Sequence, residues 1–468
     1  MNKQLDLNPL TSELAKNHAA LSPVALDFIQ YALQHDDLNT PLDTGHEGQS
    51  TFVKKFPFLM QTLPLFMSNA KSAECGKVAV DLFNLYQNLV VKLAKSSPQV
   101  LNDYFDSGCA DTLASIFSGH TGLEYCLLRG DFLPTAEGLK LLEFNVSGNI
   151  GGWGVDLLEE MYRSHPVTSS FLASRDAEFA TFTTLNRMVM HMVAVTASYC
   201  KAARVPHIGV LVEAPDRLEE AQDLTARIKH QLLTYAGVQI DFSCCAEANE
   251  FFLKDGDIHT AAGMVDSLLL FNTPEVLPEF FHQKNKQNRF PIFNTRAAEI
   301  LGQKSGLCLL SEYAQRDECS AEDRALIEAH LPWTRLVKPG SVDYNGQSHE
   351  LETLLIARKD DFVLKPSDGM QGRDVSVGNR TEQNAWLAAL KDALATPGQF
   401  IVQQFCRSER LLAQNKAGGF EEHDVIWGPF VFGGQYAGNV VRLGPSNDDT
   451  GVINSHRGAS MAFIFLHD

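Results

Sequence analysis

Residues 129–145 read RGDFLPTAEGLKLLEFN, and they set four polar side chains into two apolar runs. Arg129 and Asp131 are two residues apart, so on a strand both point to one face. Glu143 and Asn145 are spaced the same way in the second run. TAEG separates the runs, and the pattern predicts two strands, 124–133 and 139–146, joined by a short turn. If these strands pair antiparallel, all four side chains converge. Asp, Glu and Asn oxygens are hard donors suited to Mg2+, which binds through a few carboxylates plus phosphates. Arg129 then faces developing negative charge. The plainer account is an ion pair between Arg129 and Glu143. Against it, Leu127, Leu128, Leu141 and Leu142 border the charges, and apolar surroundings make idle charges costly.

A second stretch, residues 363–378, reads VLKPSDGMQGRDVSVG. An apolar strand delivers Lys365, and a turn containing Ser367, Asp368, Gly369 and Gly372 leads to the next strand. Glycines let backbone N–H groups turn toward an anion, and a lysine adds a point charge beside phosphate oxygens. The stretch lacks GK[ST] and opens no helix, so it is not a P-loop; the alternative is a simple glycine-turn hairpin. After one helical segment comes FIVQQFC, residues 400–406. A strand ending in Gln403, Gln404 and Phe405 can offer amide and backbone groups to an adenine edge; the competing account is a core strand with a polar end.

Around these stretches the 468-residue chain divides into four regions. Residues 1–120 read mainly as helix, as in PVALDFIQYALQ and GKVAVDLFNLYQNLVVKLAKS, with apolar residues at spacings of 3 and 4. Residues 121–204 carry the two strands and then helices. Residues 205–295 alternate strand and helix from HIGVLVEAP onward, which predicts a small parallel, Rossmann-like α/β unit without a GxGxxG loop. Residues 296–468 begin helical, look irregular at 332–360, and end in short strands. The fold class expected is therefore α/β (α+β).

With 44% hydrophobic and 21% charged residues, the composition is that of a soluble globular protein. A net charge of −18 argues against nucleic acid as a partner, because phosphate backbones need a basic surface. The first residues lack the apolar core of a signal peptide, and no apolar run reaches membrane-spanning length. Nine cysteines without a CxxC pair suit reduced thiols, so a cytoplasmic location without membrane contact is expected. A homodimer is left open.

Taken in order, these motifs resemble the circularly permuted ATP-grasp family, which includes the synthetase domain of glutathionylspermidine synthase. That family has R-x-D and then E-x-N twelve residues after the Asp, the spacing of Arg129, Asp131, Glu143 and Asn145. The match continues through LGQKSGLCLLSE, VLKPSDGMQGRDV, FIVQQF and GPFVFGGQYAGNVVR, covering about 124–154 and 205–468. The resemblance implies a permuted ATP-grasp with a small Rossmann-like subdomain. It also implies an ATP- and Mg2+-dependent carboxylate–amine ligase working through an acyl phosphate, with a small acid and a small amine as substrates. Lys365 and a first lysine, Lys304 or its rival Lys338, would hold phosphates, with Ser367–Gly372 as a lid. Asp131, Glu143 and Asn145 would ligate Mg2+, Gln403, Gln404 and Phe405 would border adenine, and Arg129 would stabilise the acyl phosphate. Arg442 and Asn454 are candidates for the acyl side, a structural salt bridge being the other account of Arg442, and Trp153 is either a pocket wall or a core tryptophan beside a glycine turn. Two other readings stand beside it: a nucleotide-binding scaffold without turnover, and another ATP-dependent phosphotransferase.

Overall fold

The computed structural model describes residues 9–43, 50–105, 123–200, 204–271, 277–369, 373–415, 417–455 and 458–468. The hairpin expected around residues 124–146 forms, as Leu127–Thr135 and Gly138–Val146 paired antiparallel. It is the edge of a six-stranded sheet. Leu127–Thr135 pairs with Phe420–Phe432, which pairs with Gln435–Pro445, and Ser460–Ala462 follows. Arg410–Gln414 adds to Phe420–Phe432.

One helix, Asn69–Ser96, packs against this sheet. Its N-terminus is capped by Ser68, whose hydroxyl accepts from the Lys71 N–H. Cys75, Ala79, Leu82, Phe83, Tyr86, Leu89, Val90 and Leu93 recur at helical spacing and are buried. Tyr86 stacks on Phe144, on the hairpin strand, with ring planes 6° apart. Each such large apolar side chain contributes roughly 1.5–3 kcal/mol when fully buried. This is the periodicity that marks the segment as a helix.

A second, four-stranded antiparallel sheet runs Thr334–Leu336, Phe400–Gln404, Phe362–Pro366, Ser376–Val377. It has its own core of Phe362, Leu364, Trp386, Leu390 and Val402. The parallel α/β unit also forms, with strand order Ile292–Phe293, Ser267–Leu270, His207–Leu211, Asp241–Cys245.

The described residues of the N-terminal region are mainly helical, and their strand Leu65–Ser68 pairs in parallel with Ile464–His467. One expectation needs correction. Residues 332–360 are not irregular. Ser341–Tyr344 and Gln347–Glu350 form a hairpin, and Leu351–Ala357 is a helix. Asn345 and Gly346, at φ 55° and 74°, make the turn, and Asn-Gly is the strongest short hairpin signal. Among the described residues no helix is long and apolar enough to cross a membrane.

The parallel unit is stitched to the large sheet by Asn294, a residue the sequence reading did not single out. Its side-chain amide mimics a strand. Oδ1 accepts from the Leu127 N–H at 2.7 Å, and Nδ2 donates to the Leu127 carbonyl at 2.6 Å. Asn294→Ala leaves both backbone groups buried and unpaired. It should cost about 2–6 kcal/mol, because each of the two orphaned groups costs on the order of 1–3 kcal/mol. Urea unfolding should show a lower midpoint, and an unchanged midpoint would remove this stitch from the account.

Candidate functional site

The site lies where the two antiparallel sheets face each other. In the carboxylate hairpin the register sets Arg129 opposite Asn145 and Asp131 opposite Glu143, so the four side chains share one face. A bulge follows directly after Asp131. Arg129 does not pair with Glu143. It grips Asp131, with Nε on Oδ1 at 2.8 Å and Nη2 on Oδ2 at 3.2 Å, while Nη1 donates to the Gly151 carbonyl at 2.5 Å.

Arg442 arrives from the far side of the sheet. Its strand lies two strands away, and its Nη2 stands 2.5 Å from Asp131 Oδ2, off the axis of a directed hydrogen bond and therefore an ion pair. Gly428, on the strand between, makes room: a Cβ there would stand 2.9 Å from Arg129 Cδ and 2.7 Å from a Val440 methyl. Asn145 Nδ2 donates to Asp131 Oδ2 at 2.9 Å, which turns its amide oxygen away from that carboxylate. Asp131 is 3% exposed and the two guanidiniums 7% each. Burial alone would raise the Asp131 carboxyl; Arg129 and Arg442 outweigh it and hold the carboxyl well below the usual range.

The lysines come from elsewhere in the chain. Lys304, at the start of helix Ser305–Tyr313, places Nζ 3.0 Å from Glu143 Oε2 and 2.5 Å from the Gly369 carbonyl. Its backbone N–H donates to the Ser367 carbonyl at 2.8 Å. Lys365, buried on strand Phe362–Pro366, donates to Gln403 Oε1 at 2.7 Å. Burial lowers its ammonium to about 8, against the raising effect of Glu143 and Asp131; the charge of Lys304 lowers it further. Segments more than 200 residues apart thus act on one another's charge.

Two sequence expectations change here. Lys338 is exposed, and among the described residues no ion pair joins it to the site; Lys304 is the lysine brought beside Glu143. Gln403 does not border an open adenine pocket. It is 1% exposed and spends its amide on Lys365, on Thr334 Oγ1 at 3.2 Å and, at 3.4 Å, on the Leu141 carbonyl. The N–H groups of Gln404 and Phe405 are likewise taken, by the Trp333 and Asp361 carbonyls, although both side chains remain half-buried. Trp153 stacks on Phe52 in the core, the alternative weighed for it.

Ser367 is buried, its N–H donating to the Gln399 carbonyl, and Asp368 is exposed. Gly372 lies outside the described residues. Thr334 and Gly428, which position Gln403 and Arg129, carried no motif that could have revealed them.

Asp131 and Glu143, opposite each other on a hairpin, are the oxygen donors that could hold a hard divalent cation bringing phosphate or water ligands of its own, once their protein cations give way. Four cationic side chains beside them fit an anion. Glu143 is the more open carboxylate, at 27% exposure.

The molecule is α+β, with a lysine-bearing antiparallel sheet beside a carboxylate hairpin. No family model matches the chain, and no curated protein does. Among solved structures, a glutathione synthetase-like effector (GSS30) from Globodera pallida, in its apo form, matches with a TM-score of 0.55. The match covers 87% of this chain and 90% of that one at 11% identity, so the likeness is one of fold.

The Asp131 cluster has a measurable consequence for stability. Asp131→Asn keeps the shape but leaves two buried guanidiniums facing a neutral amide. Breaking a buried ion pair by removing one partner costs about 3–5 kcal/mol, so the variant should unfold at a clearly lower denaturant concentration. A midpoint equal to the parent's would mean that water, not Asp131, balances these arginines.

Proposed function

We propose that this protein is an ATP- and Mg2+-dependent carboxylate–amine ligase. The observation that carries the reading is the meeting of Lys304 and Lys365 with Glu143 and the Arg129–Asp131–Arg442 cluster, from segments far apart in sequence. Supporting it are the likeness in fold to a glutathione synthetase-like effector and the R-x-D, E-x-N spacing shared with circularly permuted ATP-grasp enzymes.

In this reading Lys304 and Lys365 hold the nucleotide phosphates, and the segment from Ser367 covers them. Glu143, Asn145 and Asp131 would hold Mg2+, which supplies charge neutralisation to the phosphate oxygens. The acid substrate's carboxylate oxygen attacks the γ-phosphorus. A C–O–P linkage forms, the bond to the bridging oxygen breaks, and ADP leaves. The amine nitrogen then attacks the acyl carbon, phosphate departs with its electron pair, and the ammonium loses a proton to solvent. Such chemistry needs placement and charge stabilisation more than a protein nucleophile. Arg129 and Arg442 would stabilise the charge that develops on the acyl oxygen, and one such donor is worth on the order of 3 kcal/mol. The small acid and amine are defined here by chemistry alone.

A second reading, nucleotide binding without turnover, is favoured by one feature: both carboxylates already hold protein cations. Hydroxylamine separates the two. A ligase incubated with ATP, Mg2+ and a panel of small acids should yield a hydroxamate with one of them. Glu143→Gln, folded by circular dichroism, should yield none. ATP-dependent thermal stabilisation with no hydroxamate and no ADP from any acid–amine pair would favour the binder, and a phosphorylated alcohol would favour a phosphotransferase.

Lys365 gives the reading a pH dependence. An anion binds its ammonium form, and burial holds that ammonium near 8 in the ligand-free protein. Affinity for a non-hydrolysable ATP analogue should therefore be level below pH 8 and fall as pH rises above it. In Lys365→Met the affinity should be lower and flat across pH 7–9.5. A parent curve as flat as the variant's would take Lys365 out of the phosphate contact.

A further inference from the structure

The side chains that would take a metal are already occupied by the protein itself. Asp131 carries Arg129 on both oxygens, with Arg442 and the Asn145 amide on Oδ2. Glu143 Oε2 carries Lys304. Within this connected set, Arg129, Arg442, Lys304 and Lys365 stand against Asp131 and Glu143, an excess of two positive charges when Lys365 is protonated.

A free divalent cation entering here meets a field of its own sign. To reach Glu143 it must displace Lys304, and to reach Asp131 it must strip two guanidiniums that have almost no access to water. An anion meets the opposite situation. Arg442 Nε is buried without a hydrogen-bond partner among the described residues, and Lys365 is held by a neutral amide, not by a carboxylate.

On the nucleotide reading above, we infer that the site takes up a polyphosphate anion before any divalent cation, and that Lys304 enforces this order. Its Nζ bridges Glu143 and the Gly369 carbonyl, so one ammonium closes the metal carboxylate and holds a backbone carbonyl together. Phosphate oxygens draw that ammonium away from both. The Glu143 carboxylate is then free, the excess positive charge is neutralised, and the cation finds oxygen donors from protein and ligand at once. The Lys304 N–H stays bonded to the Ser367 carbonyl at 2.8 Å, so the backbone remains anchored while the side chain changes partner.

This is a coupling free energy between two ligands, and it is reciprocal. Equilibrium titrations of the full chain with Mn2+, followed by electron paramagnetic resonance, and with a non-hydrolysable ATP analogue test it. The analogue should bind in excess EDTA. Mn2+ alone should bind at least about tenfold more weakly than Mn2+ with the analogue present, within the usual span of coupling. That enhanced binding should vanish in Glu143→Gln, which assigns it to this site. Lys304→Met should raise the affinity for Mn2+ alone while weakening the analogue.

Equal Mn2+ affinity with and without the analogue, or an analogue that binds only with metal, overturns the order while leaving the nucleotide reading standing. An analogue that binds neither with nor without Mn2+ overturns both. If Lys304→Met leaves Mn2+ affinity unchanged while the parent shows the coupling, the enforcing role of Lys304 is overturned.

Discussion

A carboxylate closed between two guanidiniums is the constraint on which the rest of the site depends. Asp131 and its arginines come from two strands that do not touch, separated by Phe420–Phe432. Holding the triad demands that the hairpin and the C-terminal strands lie in one sheet, in one register. Buried charges are poor sources of net stability, since desolvation consumes most of the Coulombic gain. On the proposed ligase reading, their presence at 3–7% exposure serves as preorganised charge, the feature that stabilises transition states in sites from which water is excluded.

The two sheets play different parts. The six-stranded sheet, backed by helix Asn69–Ser96, shares the large core that includes Phe83, Tyr86, Phe144 and Phe430. The lysine-bearing sheet has a separate, smaller core around Trp386 and Phe362. The other face of that sheet joins the large core through Leu336 and Ile401, beside Leu307 and Leu310 of the helix that follows Lys304, and Gln403 reaches the Leu141 carbonyl at 3.4 Å.

Much of this was legible beforehand. The period-two alternation in residues 127–146 and the short TAEG turn between the runs predicted the hairpin and its shared face, because a strand has no other way to place alternate residues. The helical spacing of residues 76–96, the parallel α/β unit, and the Lys365 strand with its antiparallel return were equally plain. The hairpin at 341–350 was missed although Asn345-Gly346 announced it, because only SVDY alternates polar and apolar while its partner QSHE is wholly polar. The pairing of Leu65–Ser68 with Ile464–His467 had no local signal, since its partner lies almost 400 residues away.

At the site, the sequence by itself determined which residue types could share a face, and so which oxygens and cations were available. Whom each would hold was decided only in three dimensions. Arg129 with Asp131, not Glu143; Lys304, not Lys338, beside Glu143; Gln403 on a lysine, not on a base: each is a choice among partners of similar chemistry. Periodicity reports the direction in which a side chain points from its own strand. Charge pairing depends on distances between strands, and those are set by how the sheets twist, bulge and pack together.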